Sequence, residues 1–234
     1  MPRSTVVLAA AFLVGCAADI GPGMGDPDGG GSSGGADAGE VPSPDAGPPG
    51  DPLGSFQLTY YWITDEADYT GVPDTDVFDP SCNVLATVTS NFFDSLRLEG
   101  TGRLIDDRVI NYWGACACSN SPCFEEVDAG HPWGSGSMSR ALVPFRSIAV
   151  DTGVLTIGHT YYAPALDGVA VPGDSPWGDF AHDGCLVADD TGGGINGMHV
   201  DFFVALRDAY VTLDGDLALD QIDLYDGGAR CPDN

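Results

Sequence analysis

The stretch VADDTGGGINGMHVDFF, residues 187–203, sets acidic side chains on both sides of a glycine-rich turn. Asp189 and Asp190 close one apolar run, and Asp201 lies just inside the next. Aspartate and glycine supply the dihedrals and local hydrogen bonds of tight connections, so turn chemistry accounts for each residue taken singly. Jointly they suggest more. Side chains alternate along a strand, so in HVDFFVAL (199–206) Val200, Phe202 and Val204 face a core while His199, Asp201 and Phe203 face the other way. Asp201 then projects into a cleft, and the glycines let the backbone fold back sharply enough to bring Asp190 near it. Neighbouring carboxylates resist double ionisation, which raises the proton affinity of one. A carboxylic acid still protonated near neutral pH is what general acid catalysis needs.

The same two-residue period recurs outward from this stretch. In SFQLTYYWI (55–63), Phe56, Leu58, Tyr60 and Trp62 share one face and Gln57, Thr59, Tyr61 and Ile63 the other. LRLEGTGRLIDDRVINYWG (96–114) reads as strand, turn at Asp106-Asp107, strand. RSIAVD, HTYYAPAL, CLVAD and QIDLYD are further short runs between glycine, proline and aspartate. No long segment carries a helical repeat, so the expected fold class is all-β, a barrel with one or two short helices.

Composition bounds the partners. Eight basic residues against thirty-five acidic ones give a formal charge of −27, which argues against nucleic acid and anionic headgroups. MPRSTVVLAAAFLVGC (1–16) joins Arg3 to an apolar run too short to span a bilayer, as a secretory signal does. Its end, LVGC, resembles the lipobox of bacterial lipoproteins, which implies a lipid anchor on Cys16. Residues 17–54, rich in Gly, Pro and Asp, lack the apolar surface to offset ordering entropy and read as a disordered tether. Residues 55–234 suffice for one domain with an adequate core. Cys82, Cys116, Cys118, Cys123, Cys185 and Cys231 form an even set in an exported chain, which favours three disulfides of open connectivity over a metal site at CACSNSPC.

FRSIAVDTGVLTIGHTYYAPAL followed by HDGCLVADDTGGGINGMHVDFF resembles the 3D domain, named for three aspartates and found in membrane-bound lytic murein transglycosylase A and its relatives. Asp151 closes a strand, Asp190 opens DTGGGING and Asp201 precedes two aromatics, with Gly192, Gly193, Ile195 and Gly197 in the pattern. Gly194 and Asn196 depart from it, and the loop between Asp151 and Asp190 is lengthened. The similarity runs from about Leu142 to Tyr225, and EGTGRLIDDRVINYW (99–113) resembles the first half of the barrel.

The resemblance implies a double-psi β-barrel with a six-stranded core, loop insertions and disulfides. It also implies a lytic transglycosylase of peptidoglycan, with Asp201 as general acid and base, Asp190 tuning it, and Asp151 hydrogen-bonded to a turn. The larger relatives wall their groove with a further domain, for which residues 55–234 leave little room. Trp113, Trp133 and Trp177 each precede glycine and either cap the barrel or offer platforms for sugar rings. His182 is a weaker substrate-binding candidate, as are Asp183, Asp189 and His199. No cofactor or metal is implied. The expected partners are peptidoglycan glycan strands and, through Cys16, a membrane; residues Ala17 and Ala18 lean towards the outer membrane, facing the periplasm. The alternatives are a non-catalytic lipoprotein that binds glycan or another envelope protein, and a metal-stabilised barrel using carboxylates and His182.

Overall fold

The computed structural model describes Gly47 and residues 49–233. The signal segment, Cys16 and nearly all of the proposed tether lie outside the described residues. None of the described helices is long and apolar enough to cross a membrane.

The chain enters on β1 (Pro52–Tyr61), whose first residues fall inside the segment read as tether. Six short strands and a helix follow before the next barrel strand. They are β2 (Thr64–Asp65), β3 (Thr75–Phe78), β4 (Val84–Val88), α1 (Ser90–Glu99), β5 (Thr101–Arg103), β6 (Val109–Gly114), β7 (Cys123–Glu126) and then the barrel strand β8 (Ser147–Val150). β9 (Thr160–Tyr162), the hairpin β10 (Ala170–Val171) and β11 (Phe180–Ala181), β12 (Cys185–Asp190), β13 (His199–Phe203), α2 (Arg207–Leu217) and β14 (Gln221–Asp226) complete it.

Six strands close a barrel in the order β1-β13-β8-β12-β9-β14. β1 with β13 and β8 with β12 pair in parallel, and the other four pairings are antiparallel. The two-residue period fills the interior: Phe56 and Leu58, Ile148 and Val150, Leu186 and Ala188, Val200 and Phe202, Ile222 and Leu224 share one core. A fully buried side chain of this kind contributes about 1.5–3 kcal/mol by leaving water. Leu213 of α2 joins that core, and Tyr210 stacks on Trp62 with centroids 5.1 Å apart. Tyr60 and Trp62 pack against the core half-buried, on the face that alternation assigned them.

Residues between β1 and β8 form an insert with a core of its own. The sheet β2-β5-β6-β7 and the hairpin β3-β4 enclose Val77, Val88, Phe92, Leu96, Ile110 and Phe124. This corrects two expectations. EGTGRLIDDRVINYW does not build the first half of the barrel; its hairpin, turning at Asp107, belongs to the insert. Leu96–Glu99 is helix rather than strand. Thr89 caps α1 by accepting the Phe92 N–H at 3.3 Å, Phe92, Phe93 and Leu96 line one face, and Gly100 ends it in the left-handed region at φ 79°. The three-residue alternation of Leu96-Arg97-Leu98 is too short to outweigh those signals.

Three disulfides join Cys82 to Cys118, Cys116 to Cys123 and Cys185 to Cys231. The sulfurs of Cys116, Cys118 and Cys123 lie within 4.8 Å of one another. Each is consumed by a disulfide, which leaves CACSNSPC no thiolate for a metal. Two bridges staple the insert, and the third ties the C-terminal segment to β12.

Candidate active site

Four barrel strands lay a row of residues side by side. Asp201 on β13 pairs in register with Thr59 on one side and Ala149 on the other, and Ala149 in turn pairs with Asp190 on β12. The two aspartates therefore flank Ala149 from strands two apart, roughly 10 Å between backbones at normal strand spacing. A methyl group is all that stands between them, so the floor stays open. A bulge in the β8–β12 register, between Ala188 and Asp190, re-aims Asp190 out of strict alternation.

Above this row lies a cleft of about 760 Å³ that Asp190 and Asp201 both line, within the roughly 300–1,000 Å³ typical of ligand sites. The insert forms the opposite wall with Glu99, Asn111 and Tyr112. The wall expected to be missing is thus present. It arises from residues between two barrel strands and not from an appended domain.

Burial dominates the electrostatics. It pushes the Asp190 carboxyl up to about 6, against the N–H of Thr191 and the Tyr61 hydroxyl; the charges of Asp189 and Asp201 add smaller increments. Burial likewise raises Asp201, opposed by the Thr59 hydroxyl and His199. The mutual repulsion inferred from the sequence is therefore the lesser cause. The Thr59 hydroxyl donates to Asp201 Oδ1 at 2.7 Å. Its oxygen lies 2.8 Å from His199 Nε2. With Thr59's single hydrogen given to Asp201, His199 donates through Nε2–H, and the chain of bonds fixes the carboxyl's orientation. Tyr61 is buried between the pair's fields, donates to Asp190 Oδ2 at 3.4 Å, and keeps its proton well past the usual phenol range because of burial and then the Asp190 charge.

The doubled aspartate splits its tasks. Asp190 faces the cleft, while Asp189 points inward and is buried, receiving Arg140 Nε at 2.5 Å and Ser147 Oγ at 2.6 Å. That pair pins the segment before β8, whose Ser135, Gly136 and Ser137 line the cleft. Ser137 also lies 2.9 Å from Thr191, oxygen to oxygen, which joins this segment to the glycine-rich turn.

The remaining candidates lie elsewhere. Asp151 accepts the N–H groups of Gly197 at 2.7 Å and Gly153 at 2.8 Å, and these bonds, Gly197's the stronger influence, hold its carboxyl below the usual range. It stitches the turn after β8 to the glycine-rich turn and does not line the cleft. His182 is buried among Phe145 and Phe202, giving Nε2–H to the Phe145 carbonyl at 2.6 Å and accepting the Gly184 N–H at Nδ1. Burial drives its value down to about 4, so the ring is neutral. Both nitrogens are spent on backbone, and neither a saccharide nor a metal can be reached by them. Trp133 is buried against Tyr61 and Leu142, with Trp177 edge-on to it at 6.1 Å. Trp113 is exposed on β6, next to Tyr112, and none of the three tryptophans lines the cleft. The aromatics that do are Tyr61 and Tyr112. Alternation had set Tyr61 opposite the barrel core, which was the available signal; Glu99 and Tyr112 had none without the insert's fold.

No curated relative matches the sequence. Residues 146–224 match the family described as the 3D domain. Among solved structures, E. coli MltA with bound chitohexaose superposes with a TM-score of 0.50 at 12% identity, over 74% of this chain and 71% of that one. The membrane-bound lytic murein transglycosylase of Agrobacterium tumefaciens superposes with a TM-score of 0.50 at 15% identity, over 74% and 73%. Residues 146–224 thus match the 3D domain with Asp190 on β12, Asp201 on β13 and Asp151 directly after β8 of a closed six-stranded barrel, and the chain shares the fold of the MltA structures.

Proposed function

We propose that this chain is a lytic transglycosylase of peptidoglycan, cleaving the bond between N-acetylmuramic acid and N-acetylglucosamine. One observation carries the reading: Asp190 and Asp201, both with proton affinities raised by burial, flank a small residue on the floor of an open two-walled cleft. Asp201 gives its proton to the glycosidic oxygen as the bond from the anomeric carbon breaks and its electrons pass to that oxygen. The 6-hydroxyl of the same muramic residue closes on the anomeric carbon, and its proton returns to Asp201. One acid thus serves both steps, and the products are a 1,6-anhydro end and a free glucosamine end, with no water consumed. Thr59 holds one oxygen of Asp201, which leaves the other for the travelling proton. Asp190 and Tyr61 supply a polar, partly charged neighbour for the developing positive centre. Asp151 is assigned a structural part. The bound chitohexaose of E. coli MltA supports a saccharide as occupant.

The lipobox reading of Cys16 and the tether to residue 54 complete the proposal. They hold the domain of residues 55–234 at the envelope, at the outer membrane facing the periplasm, within reach of the wall.

Incubation with purified sacculi, followed by mass spectrometry of the released fragments, tests the activity. Wild type releases anhydro-muropeptides, and Asp201→Asn lowers the rate by about 10²–10⁴-fold, the span of general acid–base catalysis. Full activity in Asp201→Asn removes that residue from the role. No release by wild type, where a working transglycosylase gives product, turns the reading to a glycan-binding lipoprotein.

A further inference from the structure

The insert contributes a carboxyl that the barrel chemistry leaves without a task. Glu99 is the last residue of α1, and its side chain lines the cleft on the wall facing Asp190 and Asp201. Its place is fixed from both sides: Phe92, Phe93 and Leu96 bury the helix in the insert's core, and Gly100 stops it in the left-handed region directly after Glu99. The carboxyl is half-buried, and its Oε2 accepts only the Trp62 N–H, at 3.4 Å. Among the described residues no ion pair reaches it; Arg97, two residues earlier, turns instead to Asp94 at 3.7 Å. A carboxyl placed in a ligand cleft, half out of water and without a cation, is costly when ionised.

We propose that Glu99 is a substrate-contacting residue of the second wall, hydrogen-bonding an N-acetylated amino-sugar chain that lies over Asp190 and Asp201. This deepens the transglycosylase reading and rests on it. A carboxylate only accepts hydrogen bonds, whereas a carboxylic acid can donate to an acetamido carbonyl or a ring hydroxyl. Burial, with the Asp201 charge adding to it, pushes the Glu99 carboxyl up to about 7, against the Trp62 N–H. The groups that face it are Asp201, Asp190 and Tyr61 from the barrel, Tyr112 and Glu125 from β6 and β7, and Arg97 on its own helix. Above neutral pH, Glu99 loses the donor and gains a charge opposite Asp201, so the grip on the glycan weakens.

Calorimetric titration with chitohexaose at pH 6 and pH 8 tests this, alongside anhydro-muropeptide release from sacculi. Wild type is expected to bind about 10-fold more weakly at pH 8, because a donor with a value of about 7 is then roughly nine-tenths ionised. Glu99→Gln keeps a donor amide and the Trp62 contact at both pH values, so its affinity changes less than 2-fold between them. Glu99→Ala binds about 10-fold more weakly than wild type at pH 6. If Glu99→Gln keeps the wild-type loss from pH 6 to pH 8, the dependence belongs to the aspartates and the assignment falls. Should Glu99→Ala fail to fold, the isosteric Gln variant still decides. Release of anhydro-muropeptides together with an unaltered Gln profile overturns Glu99 alone. Neither binding nor release by wild type overturns both readings.

Discussion

The six barrel strands bury a two-residue pattern gathered from both ends of the described chain, whereas the insert packs one helix on a narrow sheet and adds two disulfides. The barrel encloses eighteen buried residues in its main cluster and the insert's cluster eight. A small core contributes too little apolar burial to offset ordering entropy unaided, and cross-links are the usual compensation. The difference bears on function because the site is shared. The floor, Asp190 and Asp201, belongs to the well-filled barrel, and the facing wall, Glu99 and Tyr112, to the stapled insert. Chemistry and grip should therefore fail under different insults.

Removing a staple separates the two most strongly. Cys82 and Cys118 close a loop of 36 residues, worth roughly 4 kcal/mol on the chain-entropy description. In the Cys82→Ser, Cys118→Ser double variant, hydrogen exchange should deprotect the amides of α1, β5 and β6 while β8, β12 and β13 stay protected. Chitohexaose binding should fall with them. Uniform deprotection of barrel and insert would mean that the two form a single cooperative unit and that the contrast drawn here is wrong.

The same contrast governs what could be read in advance. The barrel strands were legible because alternation persists over several residues in Phe56–Trp62 and His199–Phe203, because RSIAVD and its like are short runs between turn residues, and because the three aspartates with their glycines form a specific pattern. The pairing of β1 with β13 was not, since nothing local records a partner some 140 residues away. The insert was misread for a related reason: Glu99 to Trp113 carries the look of a barrel hairpin, and only the tertiary context assigns it to a separate sheet. Asp190 and Asp201 were legible as cleft residues, but the main cause of their raised values was not, because burial by an opposing wall presupposes the wall. The tryptophans misled in a simpler way. Glycine after each one suggests a loop, yet Trp133 packs under Arg103, whose guanidinium carbon lies 5.2 Å from the ring, within the fold.

Acid should discriminate next, and in the opposite sense, by striking the barrel. His182 is neutral in the barrel core, with its value lowered from 6.5 to about 4 chiefly by burial. A lowered base contributes stability that is full above 6.5 and is lost as pH falls through about 4. The interval corresponds to about 3 kcal/mol, at about 1.4 kcal/mol per pH unit. In the insert, His131 is raised by its hydrogen bond to Asp128, so its contribution builds as pH falls towards 6.5 and is already complete where the His182 loss begins. Urea titrations at pH 7 and pH 4 should show His182→Gln less stable than wild type at pH 7, with the gap narrowing by about 3 kcal/mol at pH 4. A gap that stays constant would show that His182 charges without penalty, and hence that water reaches it.

The smallest effect probes the seam where the two regions meet. A methyl group at Gly136 would clash with the backbone oxygen of Asp189, a residue held in place by Arg140 and Ser147 on its side chain. One at Gly193, in the glycine-rich turn of the same cleft, meets nothing within 4 Å. Gly136→Ala should therefore cost about 1–3 kcal/mol, as overpacking against fixed atoms does. It should also lift Ser135–Ser137 from the cleft and lower chitohexaose affinity. Gly193→Ala should stay within about 0.5 kcal/mol. Thermal unfolding of the two variants, with chitohexaose titration of each, gives the comparison. Equal effects would mean that the segment before β8 yields freely, so that the anchoring of Arg140 and Ser147 on Asp189 does not hold the cleft's shape.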